Sequence, residues 1–293
     1  MRRMALARSV ARYGTFPLFL LGINGLIVYL IGEGAPWTLS LVALLIAIGL
    51  MLVIERLIPY QPAWNRSHDD ASRDFAHFFV NSSLSHAGVL LLPLLASLTL
   101  FEGNWPSDWP FWLQVVVSAI VLDLGISATH HASHKWSVLW RFHAVHHSVK
   151  RMYSLNGLMK HPVHQSIETL GGSLPLLLMG MPTAVASALA FSVAVQLLLQ
   201  HSNADYRTGP LKYVFANAEV HRFHHTNRSG EGDVNFGLFT TLWDHLAGTF
   251  HYKKGCAPRR SAEVGIGGRS DYPSAYVPQL VEPFKRWPGM PPL

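Results

Sequence analysis

Residues 130–147 read HHASHKWSVLWRFHAVHH, and residues 221–225 repeat its ending as HRFHH. On an α-helix, positions three and four apart share a face, so His130 and His134 converge, as do His143 with His146 and His147. Adjacent rings point about 100° apart at roughly 3.6 residues per turn, so one helix can offer a ring to each of two neighbouring metal ions. Imidazole is the commonest metal ligand and suits iron, zinc, copper and nickel. Most of the 17 histidines fall in these boxes, and the pattern points to a dinuclear metal site built by inward-projecting helical residues.

The surrounding chain is strongly apolar. Charged residues make up only 14% of it and its mean hydropathy is +0.22. A soluble domain carries roughly 25% charged residues, so this reads as a membrane protein. The expected fold is all-α, a polytopic helical bundle with a histidine-rich di-metal cap on the cytoplasmic side. Apolar runs predict spans at 16–31, 37–54, 75–101 and 111–128, the last entered through the interfacial aromatics Trp109, Phe111 and Trp112. Residues 170–199 are too long for one simple span and contain Gly171, Gly172, Pro175, Gly180 and Pro182, so they read as a hairpin that enters and returns. Basic residues precede the first span (Arg2, Arg3, Arg8, Arg12) and separate the second from the third (Arg56, Arg66, Arg73). The loops at 32–36 and 102–110 hold no Lys or Arg, which makes the N-terminus cytoplasmic. The same count brings every histidine box to that side. The Arg-rich start reads as an uncleaved anchor rather than a signal peptide.

No linker separates two cores. The chain divides into N-terminal transmembrane helices (1–110), a catalytic region (111–251) and a Pro-rich cytoplasmic tail (252–293), integrated as one domain. Residues 276–287 of the tail either lie on the membrane surface or pack against the cap. The net charge of +6 suits cytoplasmic loops beside anionic lipid, and no interleaved basic and aromatic stripe suggests nucleic acid. A single cysteine, Cys256, excludes an internal disulfide and any cysteine cluster for zinc or iron–sulfur.

With the context of the boxes included (Asp123, Trp140-Arg141-Phe142, Asn235-Phe236-Gly237 and Trp243-Asp244), the region 123–249 resembles the fatty acid hydroxylase and sterol desaturase superfamily. That resemblance implies two irons that activate O2 against an unactivated C–H bond of a lipid, hydroxylating or desaturating it. It also implies a ligand set of His130, His134, His143, His146, His147, His221, His224 and His225. His201, in Gln200-His201-Ser202-Asn203, is a ninth. His161 and His164 are further candidates or interfacial polar groups. His131 stands where relatives often carry Arg, and reads as a supporting or surface residue. Asp123, two turns before His130 on about the same face, either accepts an N–H from a ligating imidazole or makes a polar contact between transmembrane helices. Asp244 either orients a ligand or caps a helix. His68, His77, His86, His245 and His251 lie outside the boxes and read as non-ligands.

No electron donor is encoded. Gly265-x-Gly267-Gly268 has no strand before it, so it is no dinucleotide fingerprint. The resemblance implies a separate cytochrome b5-like or ferredoxin-type donor and its reductase. Lys150, Arg151, Lys160 and Arg222 either form its docking face or are ordinary positive-inside loop charges. Two other readings compete: a haem electron-transfer protein, which needs opposed single ligands on two spans, and a histidine-rich metal transporter or sensor, which needs ionisable residues along its spans. The absence of His-Glu-x-x-His argues against a zinc hydrolase of that type.

Overall fold

The protein, described here from a computed structural model, is defined over residues 2–95, 104–228 and 231–287. Among the described residues it is all-helical, with isolated bridges and no strands. Its long elements are α1 (Arg2–Pro17), which runs through a π-helical turn at Leu18–Ile23 into α2 (Asn24–Gly32), then α3 (Leu39–Leu57), α4 (Ala71–Leu95) and α5 (Phe111–Lys135). After these come α6 (Ser137–His147), α7 (Pro162–Leu178) and α8 (Thr183–His201), and the short helices α9 (Ala218–His224), α10 (Leu242–Ala247) and α11 (Tyr276–Val281).

Four helical stretches among the described residues are long and apolar enough to cross a membrane: Arg3–Gly32, Leu39–Leu57, Phe111–Lys135 and Thr183–His201. The span expected at 75–101 is helical through Leu95, and its remainder lies outside the described residues. The hairpin expected at 170–199 is α7 and α8, and Gly180 (φ 80°) takes the left-handed conformation in the turn between them.

Close helix approach sets the architecture of the site. A Cβ on Gly125 of α5 would overlap the Gly171 carbonyl of α7, and one on Gly172 would meet Ile126 Cγ1 at 2.9 Å. Three glycines therefore let α5 and α7 touch backbone to backbone, as small residues do between membrane helices. Burial of Val185, Leu189, Val195, Leu198 and Leu199 makes α8 the central helix of the apolar core. It ends at His201.

Polar ties bind the histidine end of the bundle. Glu55, near the end of α3, accepts the backbone N–H groups of Ser154 and Asn203. Arg12 pairs with Asp205, which puts the basic N-terminal helix at this same end. The tail is less irregular than its composition suggests, and it packs against the cap. Tyr272 and Trp287 are buried with Val145, Val149 and Met159, while Gln279 bonds His77 and Ser148.

Candidate metal centre

Each histidine stretch sits at a helix end. His130 and His134 lie in the last two turns of α5, and Trp136, in extended conformation, breaks the helix and redirects the chain into α6 with His143, His146 and His147. His201 closes α8. His221 and His224 lie on α9, whose N-cap Asn217 accepts the Glu219 N–H, and His225 is its C-cap.

The rings fall into two groups. One comprises His130, His134, His143, His147 and His224; the other comprises His146, His201, His221 and His225. In each, the candidate ligand atoms all lie within 4.8 Å of one another. Nε2 atoms approach at 2.9 Å (His130–His224), 3.0 Å (His143–His147) and 3.2 Å (His134–His147) in the first group. In the second the spacings are 3.1 Å (His146–His201), 3.0 Å (His201–His221) and 3.1 Å (His221–His225). A metal–imidazole bond of about 2.1 Å places neighbouring octahedral ligands about 3.0 Å apart, so these spacings suit the edges of a coordination shell.

The outer ring nitrogens fix the tautomers. Nδ1 of His130, His146, His201 and His224 faces the carbonyl oxygens of Phe236, Met159, Leu197 and Val234 at 2.8–3.1 Å. A carbonyl can only accept, so each Nδ1 carries the proton and each Nε2 turns a lone pair inward. The Nδ1–H of His134 donates to Asp233 Oδ1 at 3.0 Å. This is the arrangement that orients metal-binding imidazoles. Burial, reinforced by the neighbouring imidazoles, pushes the pKa values of His143, His146, His147, His221, His224 and His225 well below the ordinary histidine value. These rings are neutral, the form that ligates.

Several expectations need correction. Asp123 holds no imidazole: its oxygens accept the backbone N–H groups of Leu238, Phe239 and Thr240 and the Thr240 hydroxyl. Asp244 grips the other side of that loop through the N–H groups of Phe236 and Gly237. The two carboxylates shape the turn whose Phe236 carbonyl orients His130, so Asp123 acts on the site through backbone. His161 belongs to neither group, because it caps α7 by accepting the Val163 N–H and donates to the Leu280 carbonyl. His164 does lie at the centre, with its Nε2 2.9 Å from Ser133 Oγ and its ring 4.4 Å from that of His143. His131 stacks on Phe236 instead of turning inward. Among the described residues, none of His68, His77, His86, His245 and His251 joins a group of possible ligands.

Residues 115–249 match the fatty acid hydroxylase family. The chain is 31% identical over 258 residues to an ornithine lipid hydroxylase of Rhizobium tropici, covering 84% of this chain and 75% of that protein. The chain belongs to the fatty acid hydroxylase and sterol desaturase superfamily. It is also 26% identical to an alkylglycerol monooxygenase of Xenopus tropicalis (52% of this chain, 32% of the relative) and 27% identical to a lathosterol oxidase of Mus musculus (58% and 56%). No solved structure matches. This family membership, with its apolar helices, makes the chain an integral membrane oxidoreductase acting on lipid.

The four cations read as either a docking face or positive-inside loop charges are mostly internal. Arg151 is paired with Asp70, Lys160 with Glu168, and Arg222 donates to the Ser202 and Ala204 carbonyls, leaving only Lys150 exposed. Charge counting along a sequence cannot distinguish a loop cation facing water from one that meets a buried carboxylate. Two acidic residues beside the centre escaped the sequence reading. Asp233 comes from a loop 99 residues from His134 and has no local signature. Glu168 does have one, because His164-x3-Glu168 is the spacing of one helical face.

Proposed function

We propose that this protein is a membrane-bound di-iron, O2-dependent oxidoreductase that hydroxylates or desaturates a lipid at an unactivated C–H bond. The observation that carries this reading is the convergence of nine inward-facing imidazole nitrogens into two adjacent groups. His130, His134, His143, His147 and His224 would hold one iron; His146, His201, His221 and His225 would hold the other. Imidazole sets also suit zinc or copper, and the lipid-oxidising relatives favour iron. Two irons, when bound, would supply the O2 activation that such a C–H bond requires.

The chain's own residues do the rest. Carbonyls at Phe236, Met159, Leu197 and Val234 keep the four rings they face in the ligating tautomer. Ile126, Leu197, Phe236 and Leu238 form the apolar part of the lining of the cavity beside the histidines, against which a substrate methylene would rest away from water. The basic N-terminal helix lies at the histidine end, which by the positive-inside rule favours a cytoplasmic catalytic cap, where a cytochrome b5-like or ferredoxin-type donor and its reductase would deliver electrons. All nine histidines gather at one end, whereas a transporter would spread its ligands along a path across the bilayer.

The test combines metal content with chemistry. The protein is purified in detergent with iron supplied, its iron is quantified, and the lipids of cells with and without it are compared, with His146→Ala as control. Ornithine-type aminolipids, alkylglycerols and sterols are the first classes to survey. Two irons per chain, and a lipid that gains one oxygen atom or loses two hydrogens only when His146 is intact, are expected. An iron-free protein that changes no lipid would refute the reading.

A further inference from the structure

A third group of possible ligands, His143, His164 and Glu168, shares one residue with the five-histidine group, and its candidate ligand atoms again lie within 4.8 Å of one another. Glu168 is buried and ion-paired with Lys160, which is itself only 8% exposed. Both line the cavity that His130, His143, His146, His201 and His221 face. A buried cation beside a metal centre is costly unless it has a purpose, because it repels the ions the histidines would bind. The nearby polar atoms are incomplete as well. Nδ1 of His143 and Nδ1 of His164 are buried without a partner, and Glu168 Oε1 lies 3.8 Å from the latter.

Charge accounting connects these facts. Nine neutral imidazoles bring no negative charge to a buried site that would take two divalent ions. Asp233 lies at the outer edge and is 45% exposed, so water weakens its contribution. Glu168 is a carboxylate inside the cavity.

We propose that Glu168 is the internal counter-charge of the metal centre, its carboxylate shared between Lys160 on one side and His143 and His164 on the other. This rests on the metal-centre reading of the histidines. Lys160 then competes with the metal for one carboxylate, and Glu168 is a positioning residue that acts through His143 and His164. A purely structural ion pair makes a different prediction: removing either partner leaves a buried charge and weakens the protein in the same direction.

The experiment measures Co(II) affinity of the full-length protein in detergent by competition with a chelator, using the absorption of bound Co(II), together with the thermal unfolding midpoint of each metal-free protein. Glu168→Gln should bind Co(II) about 10- to 100-fold more weakly, the usual loss when a group supporting metal ligands is removed. Lys160→Met should bind more tightly than wild type even though its metal-free form is less stable. The charge-free double variant, Lys160→Met with Glu168→Leu, restores a neutral interior and guards against a single variant that fails to fold. It should bind more weakly than wild type. Loss of affinity in both single variants, or wild-type affinity in the double variant, overturns the proposal while leaving the metal centre intact. A wild-type protein that takes up no Co(II) overturns both.

Discussion

The two histidine groups lie side by side yet are held in different ways. In the five-histidine group, His134 donates to a half-exposed carboxylate, Asp233, and His130 and His224 are oriented by carbonyls of the 234–236 segment. The four-histidine group is buried throughout, has no ring oriented by a carboxylate among the described residues, and leaves Nδ1 of His221 and His225 unpartnered. His201, at its centre, is fixed by the end of α8 and by the close pass of Gly157. One group is tuned by charge at its rim and the other by packing around it. A change in charge and a change in volume should therefore separate them.

Acid should have the largest effect and act on both groups together. The unfolded chain takes up protons on histidine near pH 6.5, whereas burial keeps His143, His146, His147, His221, His224 and His225 neutral well below that value. A depressed folded pKa means that stability is complete above about pH 6.5 and is lost as pH falls below it, since the unfolded state then binds more protons. Thermal unfolding of the metal-free protein against pH should show a plateau above that value and a steep decline beneath it. A flat profile down to pH 5 would show that these rings are not buried and neutral.

Packing is probed by Gly157→Ala. Its Cβ would sit 2.5 Å from the Leu197 carbonyl oxygen and 2.9 Å from His201 Nδ1, both backbone or ring atoms that cannot swing aside. Overpacking of this kind costs about 1–3 kcal/mol, so affinity at the four-histidine group should fall roughly ten- to hundredfold while the other group keeps its ion. Metal stoichiometry near one per chain at limiting metal is the expected reading; equal loss from both groups would show that packing at Gly157 does not act on the four-histidine group alone. Asp233→Asn should give the smallest change. The amide oxygen still accepts from His134 Nδ1–H, so only the charge is lost, and at a half-exposed position that is worth less than about 1 kcal/mol. A severalfold weakening confined to the five-histidine group, with unchanged unfolding temperature, is the expected result.

The sequence by itself determined the helical membrane class and the α7–α8 hairpin, because hydropathy and glycine and proline placement are local properties of the chain, and its resemblance to a known family pointed to the nine histidines that the structure brings together. His201 could be singled out from its position at the end of the returning hairpin. Tertiary structure decided what meets those histidines. Asp123 shares a helical face with His130, but a loop 115 residues away supplies N–H groups that take its oxygens. His161 is diverted by its own helix cap and by the tail, whose packing against the cap was one of two open alternatives. Arg151, Lys160 and Arg222 look like surface charges until Asp70, Glu168 and the carbonyls at 202 and 204 come to them from elsewhere in the fold. The division has one physical cause. Periodicity and burial follow from neighbours along the chain, whereas the partner of a buried polar group is whichever distant residue the packing brings within about 3 Å.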